Sequence, residues 1–271
     1  MLPAAILFDL DDTLFDHRRA SGIALGAMHA AHAPDLPFAA FASRHAEVLE
    51  DFHRRFLAGE LTLDEARLAR MQTLFADFDR EIDVATAERA ARLYREQHQA
   101  NRSLVAGARE LLEVLSNRCR LGIVTNNSTI EQTEKLRALN ISSYFDAVVI
   151  SEDVGVTKPD ARIFAIALER IGAQPKDAVF IGDNWTNDIA GALAAGMAAV
   201  WLNPEGQTPA LERLSSPKAL ASRTSAGVSL PRVQTITSLA PTASVIAAIE
   251  AAFTHRTHGA EKHEQLETLA P

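Results

Sequence analysis

Three carboxylates stand within four positions near the start of the chain, at Asp9, Asp11 and Asp12. Carboxylates this close repel one another unless a cation lies between them, and a hard divalent ion such as Mg²⁺ prefers oxygen ligands of this kind. Asp9 is the first residue after an apolar run, so its position is the most fixed. The same residues would also suit an acidic turn before a helix, with Asp12 or Thr13 as the N-cap.

Three further polar clusters follow apolar or loop segments later in the chain: Thr125-Asn126, Lys158, and Asp183 with Asp188. Their chemistry is complementary to that of the first cluster. Carboxylates supply oxygens for a divalent cation, the lysine supplies a cation that is not a metal, and the threonine and asparagine supply neutral donors for the oxygens of an anion. The sequence therefore predicts a site for a phosphoryl group bridged by Mg²⁺, with charge neutralised at the phosphorus.

Hydrolysis of a phosphate monoester is extremely slow without a catalyst. A covalent intermediate accelerates it by replacing one difficult step with two easier ones. An aspartate carboxylate can be the nucleophile of the first step, and Asp9 is the candidate. A second carboxyl two residues on, at Asp11, can protonate the departing alkoxide and later deprotonate water.

These clusters need a parallel sheet to bring them together. The apolar run Ala5–Phe8 predicts a strand buried on both faces, and further strands are predicted at 119–124, 146–150, 178–182, 198–202 and 233–237. Helices predicted between them make the fold class α/β, a Rossmann-like parallel sheet with helices on both faces. The carboxyl ends of such strands share one edge, so the polar clusters can converge there.

Residues 17–100 carry helical periodicity and no strand pattern, so we expect an inserted all-α helical-bundle cap. The predicted domains are an α/β core of 1–16 and 101–253, a helical cap of 17–100 and a mobile C-terminal tail of 254–271. Within the cap, helices are predicted at 17–32, 38–57, 62–78 and 84–100, the third opened by a capping box of Thr62 and Glu65. In the core, helices are predicted at 104–118, 129–139, 160–171, 187–195 and 242–253, with loops at 151–160 and 205–231.

The composition limits the other functions. A net charge of −8 argues against general affinity for nucleic acid or an anionic membrane. The single cysteine, Cys119, excludes an intramolecular disulfide and fits a reducing compartment. No stretch has the length of a membrane span and no basic leader is visible, so we expect a cytoplasmic protein, either a monomer or a homodimer.

The four clusters resemble the motifs of the haloacid dehalogenase (HAD) superfamily of phosphohydrolases. The first motif, DxDxT, is present as Asp9-Leu10-Asp11-Asp12-Thr13, the second as Thr125, the third as Lys158-Pro159 and the fourth, GDxxxxD, as Gly182 to Asp188. They occur in the family's order. The long insertion between the first two resembles the helical cap of the family's C1 type.

The resemblance implies a role for each residue. Asp9 is the nucleophile and a Mg²⁺ ligand. Asp11 is the general acid and base and ligates Mg²⁺ through its backbone carbonyl. Thr125, Asn126 and Lys158 bind the phosphoryl group, and the lysine also stabilises the aspartyl-phosphate. Asp183 ligates Mg²⁺ and Asp188 supports that ligand set, unless it is only a carboxylate at a helix N-terminus.

Several activities fit this family, and an Mg²⁺-dependent phosphatase is favoured. A 2-haloacid dehalogenase needs neither the metal nor an acid at Asp11. A phosphonatase would normally have a cap lysine that forms a Schiff base. Residues 17–100 contain no lysine, which argues against that activity. A phosphomutase remains open because it uses the same aspartate pair. A non-catalytic binding or regulatory module is disfavoured, because it has no need of two mutually repelling carboxylates.

The region around Asp183 is similar to nucleoside 5′-monophosphatases and acylneuraminate-phosphate phosphatases. We therefore expect a small phosphorylated metabolite as the substrate, and the leading candidates are a nucleoside monophosphate and a sugar phosphate. Candidates for substrate contact in the cap are His17, Arg18 and Arg70, although ordinary surface charge is the better explanation for each. His17 is the first candidate of the three because it is closest in sequence to Asp9.

Overall fold

The computed structural model describes residues 1–209, 222–224, 227–229 and 232–254. The chain divides into two compact units: Asp16–Ser103 form one, and Met1–Phe15 with Leu104–Pro271 form the other. Apart from its first residue, the tail predicted for 254–271 lies outside the described residues, as does much of the loop predicted for 205–231.

The described strands are β1 (Ala5–Phe8), β2 (Arg120–Thr125), β3 (Ala147–Ile150), β4 (Ala178–Gly182), β5 (Ala198–Leu202), β6 (Ser222–Thr224), β7 (Gly227–Ser229) and β8 (Val233–Ile236). Six of them form a parallel sheet in the order β3-β2-β1-β4-β5-β8. Every residue of β1, β4 and β5 is buried, which is typical of parallel strands covered by helices on both faces. The predicted fold class is confirmed.

The described helices are α1 (His17–His32), α2 (Phe38–Leu57), α3 (Leu63–Ala76) and α4 (Val84–Ala100) in the helical unit, and α5 (Ala108–Leu115), α6 (Thr129–Ala138), α7 (Ser151–Val154), α8 (Ala161–Ile171), α9 (Gly191–Ala194) and α10 (Thr242–Thr254) in the other. Helix α8 packs on β2 and β3, and α10 packs on β5 and β8. The core between α8 and the sheet includes Leu7, Phe164, Phe180 and Trp201.

The helical unit has a core of its own. Helix α1 packs against α4, and α3 packs against both α2 and α4. Met28, Phe41 and Phe75 are among the side chains buried between them. The predicted capping box is present, since the Thr62 hydroxyl and the Glu65 carboxylate each accept a backbone N–H of the other residue.

Four segments differ from the sequence prediction, and the following three are the simplest. The helix predicted for 104–118 is confined to α5, because Gly107 has a positive φ of 86° and the Val105 N–H donates to the Leu14 carbonyl at 2.8 Å. The loop predicted for 151–160 begins with the short helix α7, which ends at Gly155 with a φ of 65°. The loop predicted for 205–231 includes β6 and β7, which pair antiparallel.

The helix predicted for 187–195 begins earlier and is not a regular α-helix. Residues Trp185–Ala190 form a π-helix, and only Gly191–Ala194 are α-helical. The side chain of Asn184 caps this segment by accepting the N–H of Asn187, and the Ile189 N–H donates to the carbonyl of Asn184 five residues earlier. Wide turns of this kind are common at functional sites.

None of the helices in the described part of the chain combines the length and the apolar character that crossing a membrane requires.

The centre of the sheet leaves little room for a side chain at Gly122, which pairs with Leu7. A Cβ at this position would lie 2.7 Å from Leu7 Cδ2 and 3.3 Å from Ile171 Cδ1. We expect Gly122→Ala to lower the free energy of unfolding by about 1–3 kcal/mol because the strand is already fully packed. Urea denaturation followed by circular dichroism measures this change.

The matched control is Gly22→Ala in the interior of α1, where a Cβ would meet no atom within 4 Å. That substitution should raise the free energy of unfolding by about 0.5–1 kcal/mol, because alanine restricts the unfolded chain more than glycine does. A gain of stability from Gly122→Ala would contradict the packing described for β2.

Candidate active site

Three central strands carry predicted site residues to one edge of the sheet. Asp9 follows β1, Thr125 ends β2 and Asp183 follows β4. The backbone N–H of Asp9 donates to the carbonyl of Ile181 at 2.9 Å, so pairing between β1 and β4 continues one residue past the strand. The chain order changes direction at β1, and parallel sheets bind ligands at such points.

Lys158 lies between two buried carboxylates. Its Nζ donates to Asp9 Oδ1 at 2.6 Å and to Asp188 Oδ1 at 2.7 Å. The exposed fractions of the three side chains are only 3% for Lys158, 9% for Asp9 and 1% for Asp188. Because unpaired buried charges are costly, this lysine is what allows both carboxylates to be buried.

The charges of this group depend on one another. Burial raises the pKa of the Asp9 carboxyl to about 7, while the positive charge of Lys158 opposes the shift and Asp188 adds to it. Burial alone would lower the pKa of the Lys158 ammonium, but the Asp188 and Asp9 carboxylates outweigh that effect and raise it above its ordinary value. The lysine is therefore a permanent positive charge, and a further cation beside Asp9 would favour its ionised form.

The backbone of Lys158 is held by Asn126. The Lys158 N–H donates to Asn126 Oδ1 at 2.8 Å, and Asn126 Nδ2 donates to the Lys158 carbonyl at 3.0 Å. The ammonium group also lies 5.6 Å from the centre of the Phe180 ring. The side chain of Asn126 thus fixes the backbone of the lysine from both its oxygen and its nitrogen.

Gly182 and the π-helix position Asp188. The Asn184 N–H donates to Asp188 Oδ2 at 2.9 Å, so both oxygens of this carboxylate are engaged. A Cβ at Gly182 would overlap the Asp188 carboxylate. The glycine of the GDxxxxD pattern is therefore needed for Asp188 to reach Lys158.

Ligand oxygens of Asp9, Asp183 and Asp188 lie within 4.8 Å of one another. The set consists only of carboxylate oxygens, which suits Mg²⁺, and it carries more negative charge than Lys158 balances. Asp183 is held by its backbone, because the indole N–H of Trp201 donates to the Asp183 carbonyl at 2.8 Å. These residues fit a divalent cation.

The Asp11 side chain belongs to a different group. Lys135 Nζ donates to both of its oxygens, at 2.7 and 2.9 Å, and Gln132 Nε2 donates to Oδ2 at 3.0 Å. The same Gln132 Nε2 donates to Thr125 Oγ1 at 2.6 Å. The two predicted residues, Asp11 and Thr125, are thus joined through a side chain of α6.

Gln132 and Lys135 lie outside the four sequence motifs. Their signal is their place on α6, where they share a buried stripe with Leu136 and Leu139 at the spacing of a core-facing helix side. Polar residues in such a stripe indicate partners in the interior, but the partner is not evident from the sequence.

The other residues that the sequence singled out have structural contacts. Asp12 has a φ of 60°, and the Thr13 hydroxyl lies 3.5 Å from Asp9 Oδ2, as expected for residues of the turn. In the helical unit, His17 Nδ1 lies 3.3 Å from His98 Nε2, and the Arg70 guanidinium lies 4.9 Å from the centre of the Tyr94 ring. Substrate contact by His17, Arg18 and Arg70 stays a prediction.

Known proteins show which family this chain belongs to. The sequence-family model of the haloacid dehalogenase-like hydrolases matches residues 3–196. The Bacillus subtilis protein YfnB, named as a HAD hydrolase, is 31% identical over 203 residues, which are 74% of this chain and 84% of YfnB. A crystal structure of YfnB bound to magnesium superposes with a TM-score of 0.67 over 78% of this chain and 93% of that one, at 29% identity.

Two other relatives match over shorter stretches. A glyceraldehyde 3-phosphate phosphatase of Methanothermobacter thermautotrophicus is 45% identical over 35% of this chain and 42% of its own length. The pyrimidine 5′-nucleotidase YjjG of Escherichia coli is 40% identical over 38% of this chain and 49% of its own length. These alignments therefore span half or less of those two enzymes. With the family model matching most of the chain and YfnB aligning over most of its length, the chain belongs to the haloacid dehalogenase-like hydrolase family.

Proposed function

We propose that this protein is an Mg²⁺-dependent phosphatase that hydrolyses a small phosphorylated metabolite through an aspartyl-phosphate intermediate. The observation that carries the proposal is the buried group of Asp9, Lys158 and Asp188 beside Asp183. It combines a nucleophile, a fixed cation and a set of metal ligands in one place. The names of the glyceraldehyde 3-phosphate phosphatase and the pyrimidine 5′-nucleotidase support a phosphate monoester as the substrate.

In the first step, a carboxylate oxygen of Asp9 attacks the phosphorus and the bond from phosphorus to the alcohol oxygen breaks. The departing oxygen takes a proton from Asp11, so the product leaves as an alcohol. Lys158, the Thr125 hydroxyl and the backbone of Asn126 orient the phosphoryl oxygens and offset their charge.

In the second step, water gives a proton to the Asp11 carboxylate and attacks the same phosphorus. The bond from phosphorus to Asp9 breaks, which releases inorganic phosphate and regenerates the free carboxylate. Asp11 thus returns to its protonated form for the next cycle, and the protons balance over the two steps.

The residues that would hold Mg²⁺ are Asp9 and Asp183, with Asp11 contributing its backbone carbonyl and Asp188 supporting the set. When bound, the ion supplies positive charge that favours the ionised form of Asp9 and offsets the negative charge of the phosphoryl group. Lys158 supplies a second positive charge at Asp9 Oδ1.

The alternatives on this fold are a 2-haloacid dehalogenase and a phosphomutase. A dehalogenase has no use for Asp11 as an acid, whereas here two side chains of α6 are committed to that carboxylate. A mutase would use the same residues and differ only in passing the phosphoryl group to a second sugar hydroxyl. A binding or regulatory module would gain nothing from the buried Asp9 and Asp188 charges, which cost folding free energy.

We further propose a nucleoside monophosphate or a sugar phosphate as the substrate, on the strength of the relatives' names. We also propose a cytoplasmic protein that is a monomer or a homodimer. The net charge of −8 argues against nucleic acid or an anionic membrane as a partner, and the single cysteine fits a reducing compartment.

The nucleophile is tested by Asp9→Asn. We expect this change to lower Mg²⁺-dependent release of phosphate from p-nitrophenyl phosphate by more than ~10³-fold, because an amide oxygen does not form the acyl phosphate. The matched control is Asp64→Asn, whose side chain is 90% exposed at the start of α3 and should leave the rate unchanged. Turnover of Asp9→Asn at the wild-type rate would refute the assignment of Asp9 as the nucleophile. Release of chloride from 2-chloropropionate by the wild-type protein without metal would favour the dehalogenase activity.

The metal ligands are tested by Asp183→Asn without reference to turnover. We expect the dissociation constant for Mg²⁺ to rise by about 10–100-fold, because one anionic oxygen is lost from the set. Isothermal titration calorimetry with MgCl₂ measures the constant directly. Asp177→Asn, just before the opposite end of β4, is the control. Equal affinities of Asp183→Asn and the wild-type protein for Mg²⁺ would show that Asp183 is not a metal ligand.

A further inference from the structure

Helix α6 directs a buried lysine at the carboxylate that the proposed mechanism uses for proton transfer. The Lys135 side chain is only 2% exposed, whereas that of Asp11 is 25% exposed. The Lys135 Nζ donates hydrogen bonds to both Asp11 oxygens, at 2.7 and 2.9 Å, and lies 5.1 Å from the centre of the Phe15 ring. Burying a lysine costs free energy that an apolar side chain of similar length would not cost. Stability alone therefore gives little reason for a charge at this position.

Gln132 lies one helical turn before Lys135 and is completely buried. Its Nε2 carries two hydrogens, one for Asp11 Oδ2 at 3.0 Å and one for Thr125 Oγ1 at 2.6 Å. The opposite orientation of the amide would place its oxygen against the ionised Asp11 carboxylate and cause repulsion, so this orientation suits Asp11 after it has given its proton to the leaving group. One amide group thus sets the separation between the Asp11 carboxylate and the Thr125 hydroxyl.

The consequence is that Asp11 cannot turn freely. An aspartate side chain has two rotatable bonds, and a carboxylate held by a single partner can still swing about them. Here three hydrogen bonds from two residues of one rigid helix turn define both its position and the direction of its plane. Proton transfer needs a donor within hydrogen-bond reach of the reacting oxygen, so this restraint bears directly on the rate.

We propose that Gln132 and Lys135 are positioning residues that fix the Asp11 carboxylate for proton transfer and keep it in register with the phosphate-binding Thr125. The proposal rests on the proposed phosphatase function. It assigns to the first two turns of α6 a part in catalysis that none of the four sequence motifs includes.

The experiment compares two phosphate esters that differ in their need for an acid. The p-nitrophenolate group leaves without a proton, whereas the alkoxide of glycerol 2-phosphate has to be protonated as it leaves. For Lys135→Met and Gln132→Leu, we expect kcat/KM for glycerol 2-phosphate to fall by about 10–100-fold and that for p-nitrophenyl phosphate to fall by less than about 3-fold. Because kcat/KM reports events up to the first irreversible step, it isolates phosphoryl transfer to Asp9.

The controls separate positioning from folding. Lys176→Met removes an exposed lysine by the same substitution and should leave both rates unchanged. Lys135→Arg should restore part of the glycerol 2-phosphate rate, because a guanidinium can also donate to both carboxylate oxygens. A structural role predicts instead that both esters lose rate equally in Lys135→Met, together with a lower melting temperature.

Equal losses on the two esters, or a gain of rate in Lys135→Met, would overturn this inference and leave the phosphatase proposal intact. A wild-type protein that hydrolyses neither ester nor any other phosphate monoester in the presence of Mg²⁺ would overturn the proposed function, and this inference with it.

Discussion

One electrostatic constraint governs the site: the negative charges that follow β1 and β4 have to share a small buried space. Asp9 and Asp188 are almost inaccessible to solvent, and either carboxylate without a partner would cost several kcal/mol. Lys158 satisfies both with short hydrogen bonds. Several local features follow from this need, because Asn126 holds the backbone of the lysine and Gly182 leaves room for the Asp188 carboxylate. The arrangement remains acidic overall, which suits a divalent cation beside it.

The second acid of the first motif is kept in a separate environment. Asp9 shares Lys158 with another carboxylate, and burial raises its pKa to about 7. Asp11 is more exposed and has its own cation, Lys135, together with the amide of Gln132. Carboxylates two residues apart can perform different chemistry when their surroundings differ in this way. The chain turns after β1, where Asp12 has a φ of 60°, and the Asp9 carboxylate meets Lys158 whereas the Asp11 carboxylate meets α6.

Much of the framework was accessible from local patterns. The strands at 178–182 and 198–202 were predicted to the residue, because short apolar runs bounded by turn residues are typical of strands buried on both faces. The segment after Asp183 was less predictable: its wide π-turn depends on a hydrogen bond to Asn184 five residues back, which has no sequence period. The helix expected at 104–118 was too long, since the positive φ of Gly107 and the pairing of Leu104 with Phe15 are decided by neighbouring segments.

By itself, the sequence determined the parallel α/β architecture and the set of residues that could do chemistry, because both follow from the order of apolar runs and polar clusters along the chain. Only the tertiary structure decided which of those residues form ion pairs with one another. It paired Lys158 with Asp9 and Asp188, across separations of 149 and 30 residues, and gave Asp11 to Lys135 instead. Such pairing depends on how strand ends and helix faces meet in space, and a linear spacing does not encode that meeting.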